Sequence, residues 1–435
     1  MNQEVSSLHV AIIGTGMGGL ASALSLAKHG VPHIDVYETA SNLGFVGAGI
    51  QLAPNMGRIL NKLGCWEPIA KEATEIKVAS IRQHDSNNEL GHVDFSYVGR
   101  DYGIPHMVGH RSSLAEGMYE ACKKEKAITF HFRSTCNGIK SWTPKPTFTV
   151  TPRDGEPYDV SVDVVLAADG IKSVVRPQIL KNLGVEAEVT DSGQSAYRIM
   201  LTREQMSSDP EMLELLNSDQ VTRWIGERRH IIAYPISNKT IYNISTAQPD
   251  IHFADAPSAT YTTRGSKADM LDNFKDFCPL IQRMLHLVPD GEVCEWKLRV
   301  HSPLPTWVYG NVALVGDACH PTLPHLAQGA AQAIEDAGVL GVVLSMLPDR
   351  STESIRKALR VYEKVRKERA EILVDMAAAS CRTLHLGEGA AREERDKQFA
   401  APDKAVDAEV QKMIMGTDVV EEAREVFRVE FGIEI

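Results

Sequence analysis

The sequence predicts an α/β chain. A parallel sheet with crossover helices, assembled from discontinuous pieces, is interrupted by a mostly antiparallel sheet and followed by C-terminal helices. Three observations predict it. A glycine pattern, "GTGMGG", joins an apolar run to a small-residue helix near the start. Between about 191 and 248 the strand style changes from short buried runs to longer alternating strands. The buried style returns at 311–315, "NVALV", ahead of a long helix of small residues.

In chain order, "LHVAII" (8–13) reads as a buried strand, 18–29 as a helix and "HIDVYE" (33–38) as a second strand, a βαβ unit of roughly thirty residues. "PNMGRILNKLG" (54–64) reads as a helix closed by Gly64, and "ASIRQHD" with "GHVDFSYVG" as a polar hairpin. In "RSSLAEGMYEACKK", Ser112 or Ser113 is expected to cap a helix, with Glu116 completing a capping box. "AITFHF", a hairpin turning at Asp154-Gly155, and the buried strand of "DVVLAADG" follow. "SGQSAYRIML", "QVTRWIGE", "RHIIAYPI" and "TIYNISTA" are successive strands of the antiparallel layer, with helices expected over 267–288. Residues 328–346 and 352–380 read as helical. The charged tail turns amphipathic in "VDAEVQKMIM".

The 435 residues include 43% hydrophobic and 24% charged side chains, the balance of an ordinary globular protein. A net charge of −11 disfavours nucleic acid as a partner, which needs a broad cationic face. Seven scattered cysteines without a CxxC pair point away from a zinc site or a disulfide framework. A strand begins too early to leave room for a signal peptide, and no apolar run is long enough to span a bilayer. The cytoplasm is therefore the expected location. Kinase, Ser-His-Asp, HExxH and P-loop patterns are absent.

Gly14-x-Gly16-x-x-Gly19 supplies a tight turn, a close backbone approach for a pyrophosphate and close helix–strand packing. The helix start behind it attracts phosphate charge. Glu38 ends the second strand, 19 residues after Gly19, where a carboxylate can accept ribose hydroxyls. This fits NAD or FAD and does not separate them. Two further acids, Asp169 and Asp317, end buried strands beside glycines. A second acid suits a ribityl chain, which FAD has and NAD lacks.

These residues, with "GAGIQLAPN", "GHRSSL", "AADGIKSVVR", "GDACHPTLPHLAQGAAQAIEDA" and the "YEKVRKERA" helix, resemble the single-component FAD-dependent aromatic hydroxylases of the 4-hydroxybenzoate-hydroxylase fold. Within that family the chain is most similar to salicylate hydroxylases and their fungal relatives that hydroxylate or dearomatise phenols. The resemblance runs over roughly 8–375 and implies a Rossmann-like FAD-binding domain (1–75, 106–185, 295–380), a substrate-binding β-sheet domain (76–105, 186–294) and a helical tail (381–435). It implies FAD as cofactor, NADH or NADPH and O2 as co-substrates, and hydroxylation of a small aromatic substrate through a flavin C4a-hydroperoxide. An indole or alkene epoxidase and a non-hydroxylating flavin oxidoreductase share the same motifs. A homodimer is common among relatives, and the amphipathic tail offers a surface for one.

The resemblance also assigns roles. Arg111 faces the FAD diphosphate or ribityl chain, and Asp317 bonds the ribityl chain. Gly47, Gly49 and Gln51 lie along the isoalloxazine, and Gln328, Gly329 and Ala330 present a helix start to its pyrimidine end. Asp169 is either a cap or an aid to NAD(P)H. In the aromatic strands, Arg198 is a cation in an apolar setting, able to pair with a phenolate or carboxylate; a snorkelled edge residue or a partner of Glu227 is the alternative. Tyr234 is placed to hydrogen-bond substrate, or simply packs before Pro235. Trp224 and Tyr242 read as packing residues, His230 as solvated and His320 as structural. His325 stays open.

Overall fold

A computed structural model describes residues 7–43, 48–185, 189–251, 262–401 and 408–433. Among them the first sheet has six strands in the order Val308–Tyr309, Val312–Leu314, Val164–Ala167, His9–Ile13, His33–Tyr37, Ile128–His131. All neighbours are parallel except the edge pair Val308–Tyr309 with Val312–Leu314. Parallel strands need crossovers, and the helix Met17–Lys28 supplies the first. The central strands are continuous apolar runs because helices cover both faces. The helix Gly329–Ser345 packs directly on Met17–Lys28. Its small residues make that possible: a Cβ on Gly341 would lie 2.1 Å from Ser25 Oγ.

The second large sheet has eight strands: Thr262–Arg264, Cys294–His301, Val189–Thr202, Ile241–Pro249, Arg229–Ile236, Gln220–Gly226, Val78–Gln83 and Glu89–Asp94. Every pair is antiparallel except Gln220–Gly226 with Val78–Gln83. The strand Cys294–His301 belongs here, so the expected boundary after 294 is corrected: the chain stays in this sheet until His301, because Val189–Thr202 needs a partner on its outer side.

Alternation divides this sheet. Tyr197, Ile199, Trp224, Ile231, Tyr242 and Ile244 form one buried face, under helical residues such as Met270 and Met284. Trp224 and Tyr242 are therefore packing residues, as expected. The opposite face carries Arg198, Arg223, Ile232 and Tyr234. Residues paired across an antiparallel ladder share a face, and Arg198, Ser245, Ile232 and Arg223 form one row. Met200, Asn243 and Tyr234 form the next.

Three local expectations change. The helix Arg111–Cys122 starts one residue before Ser112, and its cap is His110, whose Nδ1 accepts the Ser112 N–H; neither serine caps it. His230 is buried (3% exposed) rather than solvated, because its strand is interior and the fully exposed residues beside it are Glu227 and Arg228 of the turn. The tail is docked: Val419, Val420, Ala423 and Phe427 of the helix Val419–Phe431 enter the main core, so this apolar face is taken up within the chain.

A buried charge cluster joins these parts. Glu335 and Asp336 lie mid-helix at 1% and 0% exposure. Arg366 Nε donates to Asp336 (2.9 Å), its Nη1 to Glu335 (2.6 Å) and its Nη2 to Gln332 Oε1 (2.6 Å). Arg369 binds both Glu335 oxygens (2.8 and 2.9 Å) and the carbonyls of Met413 and Ile414 in the tail. Burial alone would raise both carboxyls, but the facing cations outweigh it and hold them below their ordinary values. Removing one partner of a buried pair strands the other. Arg366→Met is therefore expected to lower stability by about 3–5 kcal/mol, read as a fall in denaturation midpoint at unchanged slope in urea.

Candidate active site

The glycines of the first turn have three separate environments. Gly14 has φ +99°, and a Cβ there would lie 2.5 Å from Ala168 O. A Cβ on Gly19 would lie 2.0 Å from Gly14 O, so this glycine seats the helix on the strand. Gly16 has extended backbone and open space beside it, with nothing within 4 Å of an added Cβ. The helix behind it has no side-chain cap and no acidic residue in its first turn. Its N–H groups and positive dipole end are left for an anion. Glu38 Oε2 accepts from Thr15 N–H (2.9 Å) and Thr15 Oγ (2.7 Å), and Oε1 accepts from Ala40 N–H (2.8 Å). Those bonds aim the carboxylate and leave lone pairs for hydroxyl donors.

Two turns bring further groups to this edge of the parallel sheet. Asp169 Oδ2 accepts from the N–H groups of Val174 (2.8 Å) and Val175 (3.4 Å), so it caps the next helix. Arg176 then clamps the carbonyls of Ile171 (2.8 Å) and Ala318 (3.1 Å), fixing the turn that carries Asp317. Asp317 is solvent-accessible yet sits in a recess crowded by protein. Burial raises its pKa, opposed by His320, Arg111 and Arg176. His320 lies behind it, 2.7 Å from Asp336, a structural placement. Cys319, His320 and Asp336 converge within 4.8 Å. Asp336 is already balanced by Arg366, and burial holds the Cys319 thiol protonated, which leaves a poor metal site.

After the turn, Ala327 adopts φ +54° and the helix Gly329–Ser345 begins, again without a side-chain cap or an acid in its first turn. The Gln328 side chain points inward, its Oε1 accepting from Asn55 (3.0 Å), so only its backbone is available to a ligand. Gly329 has open space beside it and Ala330 is half-buried. Gly47 lies outside the described residues. Gln51 is held by His106 at 3.1 Å.

The two halves of the molecule meet at Gly49. Its N–H donates to Asn243 Oδ1 (2.7 Å), and a Cβ there would lie 2.5 Å from Asn243 and 2.8 Å from the Tyr234 ring. This contact identifies the Arg198–Tyr234 face of the eight-stranded sheet as the one turned toward the glycine-rich edge. Arg198 stacks on the Trp296 ring at 4.5 Å, and among the described residues it has no carboxylate partner, Glu227 included. Burial and the charge of Arg111 push it down to about 10, so it stays cationic near neutrality. Burial raises the Tyr234 hydroxyl, which therefore remains a proton donor. Arg111, Arg198, Tyr234 and Asp317 thus share one cleft. Asn243 and Trp296 escape a sequence reading, since an Asn or Trp in an alternating strand has no local mark. The cross-strand pairing of Asn243 with Tyr234 would have flagged it.

A cleft with two uncapped helix starts, an open glycine and cations that are unpaired among the described residues fits a long, anionic dinucleotide. The comparisons agree. A family model described as an FAD binding domain matches residues 7–377. The FAD-dependent monooxygenase ntnJ of a Nectria species is 30% identical over 389 residues, 89% of this chain and 88% of that protein. The chain belongs to this family of FAD-dependent monooxygenases. The 3-hydroxybenzoate 6-hydroxylase of Polaromonas naphthalenivorans is 29% identical over 88% of this chain and 90% of its own. A solved salicylate hydroxylase substrate complex superposes with TM-score 0.80 at 24% identity, over 97% of this chain and 98% of that one.

The glycine environments predict opposite outcomes for two substitutions. Gly16→Val is expected to leave far-UV circular dichroism unchanged while weakening FAD binding by about 100-fold or more, giving a colourless preparation. Gly19→Val, against backbone that cannot retreat, is expected to yield no folded protein.

Proposed function

We propose that the protein hydroxylates an aromatic ring bearing a phenolic hydroxyl, using NADH or NADPH and O2, with FAD along the glycine-rich edge and substrate against the eight-stranded sheet. The observation that carries this reading is the facing pair of Arg198 and Tyr234: a cation without a carboxylate partner among the described residues and a protonated phenol, beside Gly49 and opposite Arg111 and Asp317.

In this reading Gly14, Gly16 and Arg111 receive the diphosphate, Glu38 the adenosine ribose and Asp317 the ribityl chain. Gly49 gives the ring system room, and the backbone of Gln328, Gly329 and Ala330 faces its pyrimidine end. Bound FAD supplies the redox chemistry that NAD(P)H and O2 require for oxygen insertion. The chain's own contribution is placement and electrostatics. Arg198 favours the phenolate form of a ring hydroxyl, which makes the ring electron-rich. Tyr234 fixes that oxygen with a hydrogen bond. The two layers, joined through Gly49 and Asn243, exclude water from the space between them. The dimerisation expected from relatives would need a surface other than the docked face of Val419–Phe431. No helix of the described residues is long and apolar enough to cross a membrane, and buried free thiols suit a cytoplasmic setting.

Oxygen uptake with NADH and NADPH, scored together with product mass over salicylates, hydroxybenzoates, aminobenzoates and acyl-phenols, tests the proposal. Coupled gain of one oxygen supports it. An FAD-loaded protein that oxidises no NAD(P)H with any ring removes it, and turnover confined to indoles or alkenes redirects it to epoxidation. Arg198→Ala is expected to retain FAD and lower substrate-stimulated NAD(P)H oxidation by about 10²-fold or more. Unchanged steady-state kinetics would take Arg198 out of the site.

A further inference from the structure

Gln51 is a polar side chain at the seam between the two layers. Its strand, Gly49–Leu52, pairs antiparallel with Met107–His110, and Gln51 lies opposite Val108. Alternation puts Gln51 on the same side of the strand as the flank of Gly49, and a Cβ built on that flank meets Asn243 and the Tyr234 ring. Gln51 is therefore turned toward the Arg198–Tyr234 face, and it is half-buried. Its one described hydrogen bond joins Oε1 to His106 Nε2 (3.1 Å). A side-chain amide also has two N–H donors, and that bond engages neither.

His106 has the opposite character. It is buried (5% exposed) and stacks on the Phe95 ring, with centroids 4.8 Å apart. Its carbonyl accepts from the Ile76 N–H (2.9 Å). Phe95, Ile76 and Val108 pack with Tyr234 and Ile236 in one small apolar cluster, so the imidazole is braced against the eight-stranded sheet. Burial lowers its pKa to about 4, so near neutral pH the ring is uncharged and carries a single N–H. Its Nδ1 is buried without a partner.

The position of that proton sets which way the amide turns. On Nε2 it is donated to Gln51 Oε1, and only a lone pair is left bare at Nδ1. With the amide reversed, its N–H would donate to Nε2, the ring proton would move to Nδ1, and a buried donor would have no acceptor. Buried N–H groups without an acceptor are rarer than under-satisfied acceptors. The first arrangement is therefore favoured, and it directs the Gln51 N–H donors away from His106, into the seam. We propose that His106 is a positioning residue: it holds the Gln51 amide with its donors presented to an oxygen or ring-nitrogen acceptor on a molecule bound in the cleft. Two bound molecules carry such an acceptor, the flavin ring and the phenolic substrate. The assignment rests on the hydroxylase reading. His106 itself is enclosed and acts through Gln51.

The test is a double-mutant cycle with two binding readouts. His106→Phe keeps a ring for Phe95 to stack on and removes the donor, and Gln51→Leu removes the amide. FAD affinity is measured by titrating apoprotein and following flavin fluorescence. In FAD-loaded protein, binding of salicylate and of 4-hydroxyacetophenone is followed through the visible flavin bands. Each single variant is expected to weaken the same readout by about 5–10-fold, and the double variant to bind no more weakly than Gln51→Leu alone. Loss in the FAD titration, with shifted flavin bands in probe-free protein, assigns the acceptor to the flavin. Loss confined to the probes assigns it to the substrate. Effects that add, as they would for a histidine that only packs, overturn the proposal. So do single variants that bind FAD and both probes as the wild type does. Gln51→Glu is an independent check should His106→Phe not fold. It keeps an acceptor for His106 and removes the cleft-facing donor, so it should weaken the same readout at least as much as Gln51→Leu, and wild-type binding in this variant overturns the proposal. The hydroxylase reading fails separately, as absence of NAD(P)H oxidation by the wild type with any ring, a result on which neither binding readout depends.

Discussion

The cleft depends on two adjacent carboxylates buried in the middle of an apolar helix. Glu335 and Asp336 cannot remain ionised in a core without partners, and the partners they recruit come from several of the parts that frame the site. Asp336 takes His320 and the Gly316 N–H, which fixes the turn carrying Asp317. Glu335 takes Asn55, which in turn holds Gln328 at the helix start. Arg366 and Arg369 bring in the long helix Thr352–Leu384 and, through backbone carbonyls, the tail. The turn carrying Asp317, the helix start and the C-terminal segment are thus positioned by one charge-balanced cluster.

Charge is treated in the opposite way on the cleft surface. The chain carries a net charge of −11, yet Arg111, Arg198 and Arg223 face the interior space without carboxylate partners among the described residues. In the cluster every cation is matched, and the result is rigidity. In the cleft they are left unmatched among the described residues, which in the proposed reading leaves them for anions brought by ligands. The same desolvation that makes an unmatched guanidinium unfavourable in the free protein strengthens its hold on a bound phosphate, phenolate or carboxylate.

Much of the framework was legible because it is local. The separation of roles among Gly14, Gly16 and Gly19 follows from spacing, and the geometry repeats it: one positive φ, one open flank, one close contact. The alternating strands were readable from period alone. The acids of "AIEDA" were in view, but their function as the organising cluster was not, although two neighbouring acids on an apolar helix call for cations elsewhere. His230 was misjudged because two arginines precede it; Arg228 lies at the turn and Arg229 opens the strand, which then carries the histidine inward. Arg223 attracted no notice, since nothing beside it in the chain shows that the sheet would enclose it without an acid.

The sequence by itself determined the dinucleotide edge, the order of strands and helices, and the family, because turns, periodicity and glycine spacing are properties of neighbouring residues. Tertiary structure alone decided which face of the eight-stranded sheet meets the cleft. A period of two defines two faces and does not say which is which. That choice was made by Gly49 against Asn243 and Tyr234, a contact across some 190 residues, and by the helices that cover Tyr197, Trp224 and Tyr242 on the other side. Burial and charge pairing are sums over such distant contacts, which is why the unmatched arginines appear only once the chain is folded.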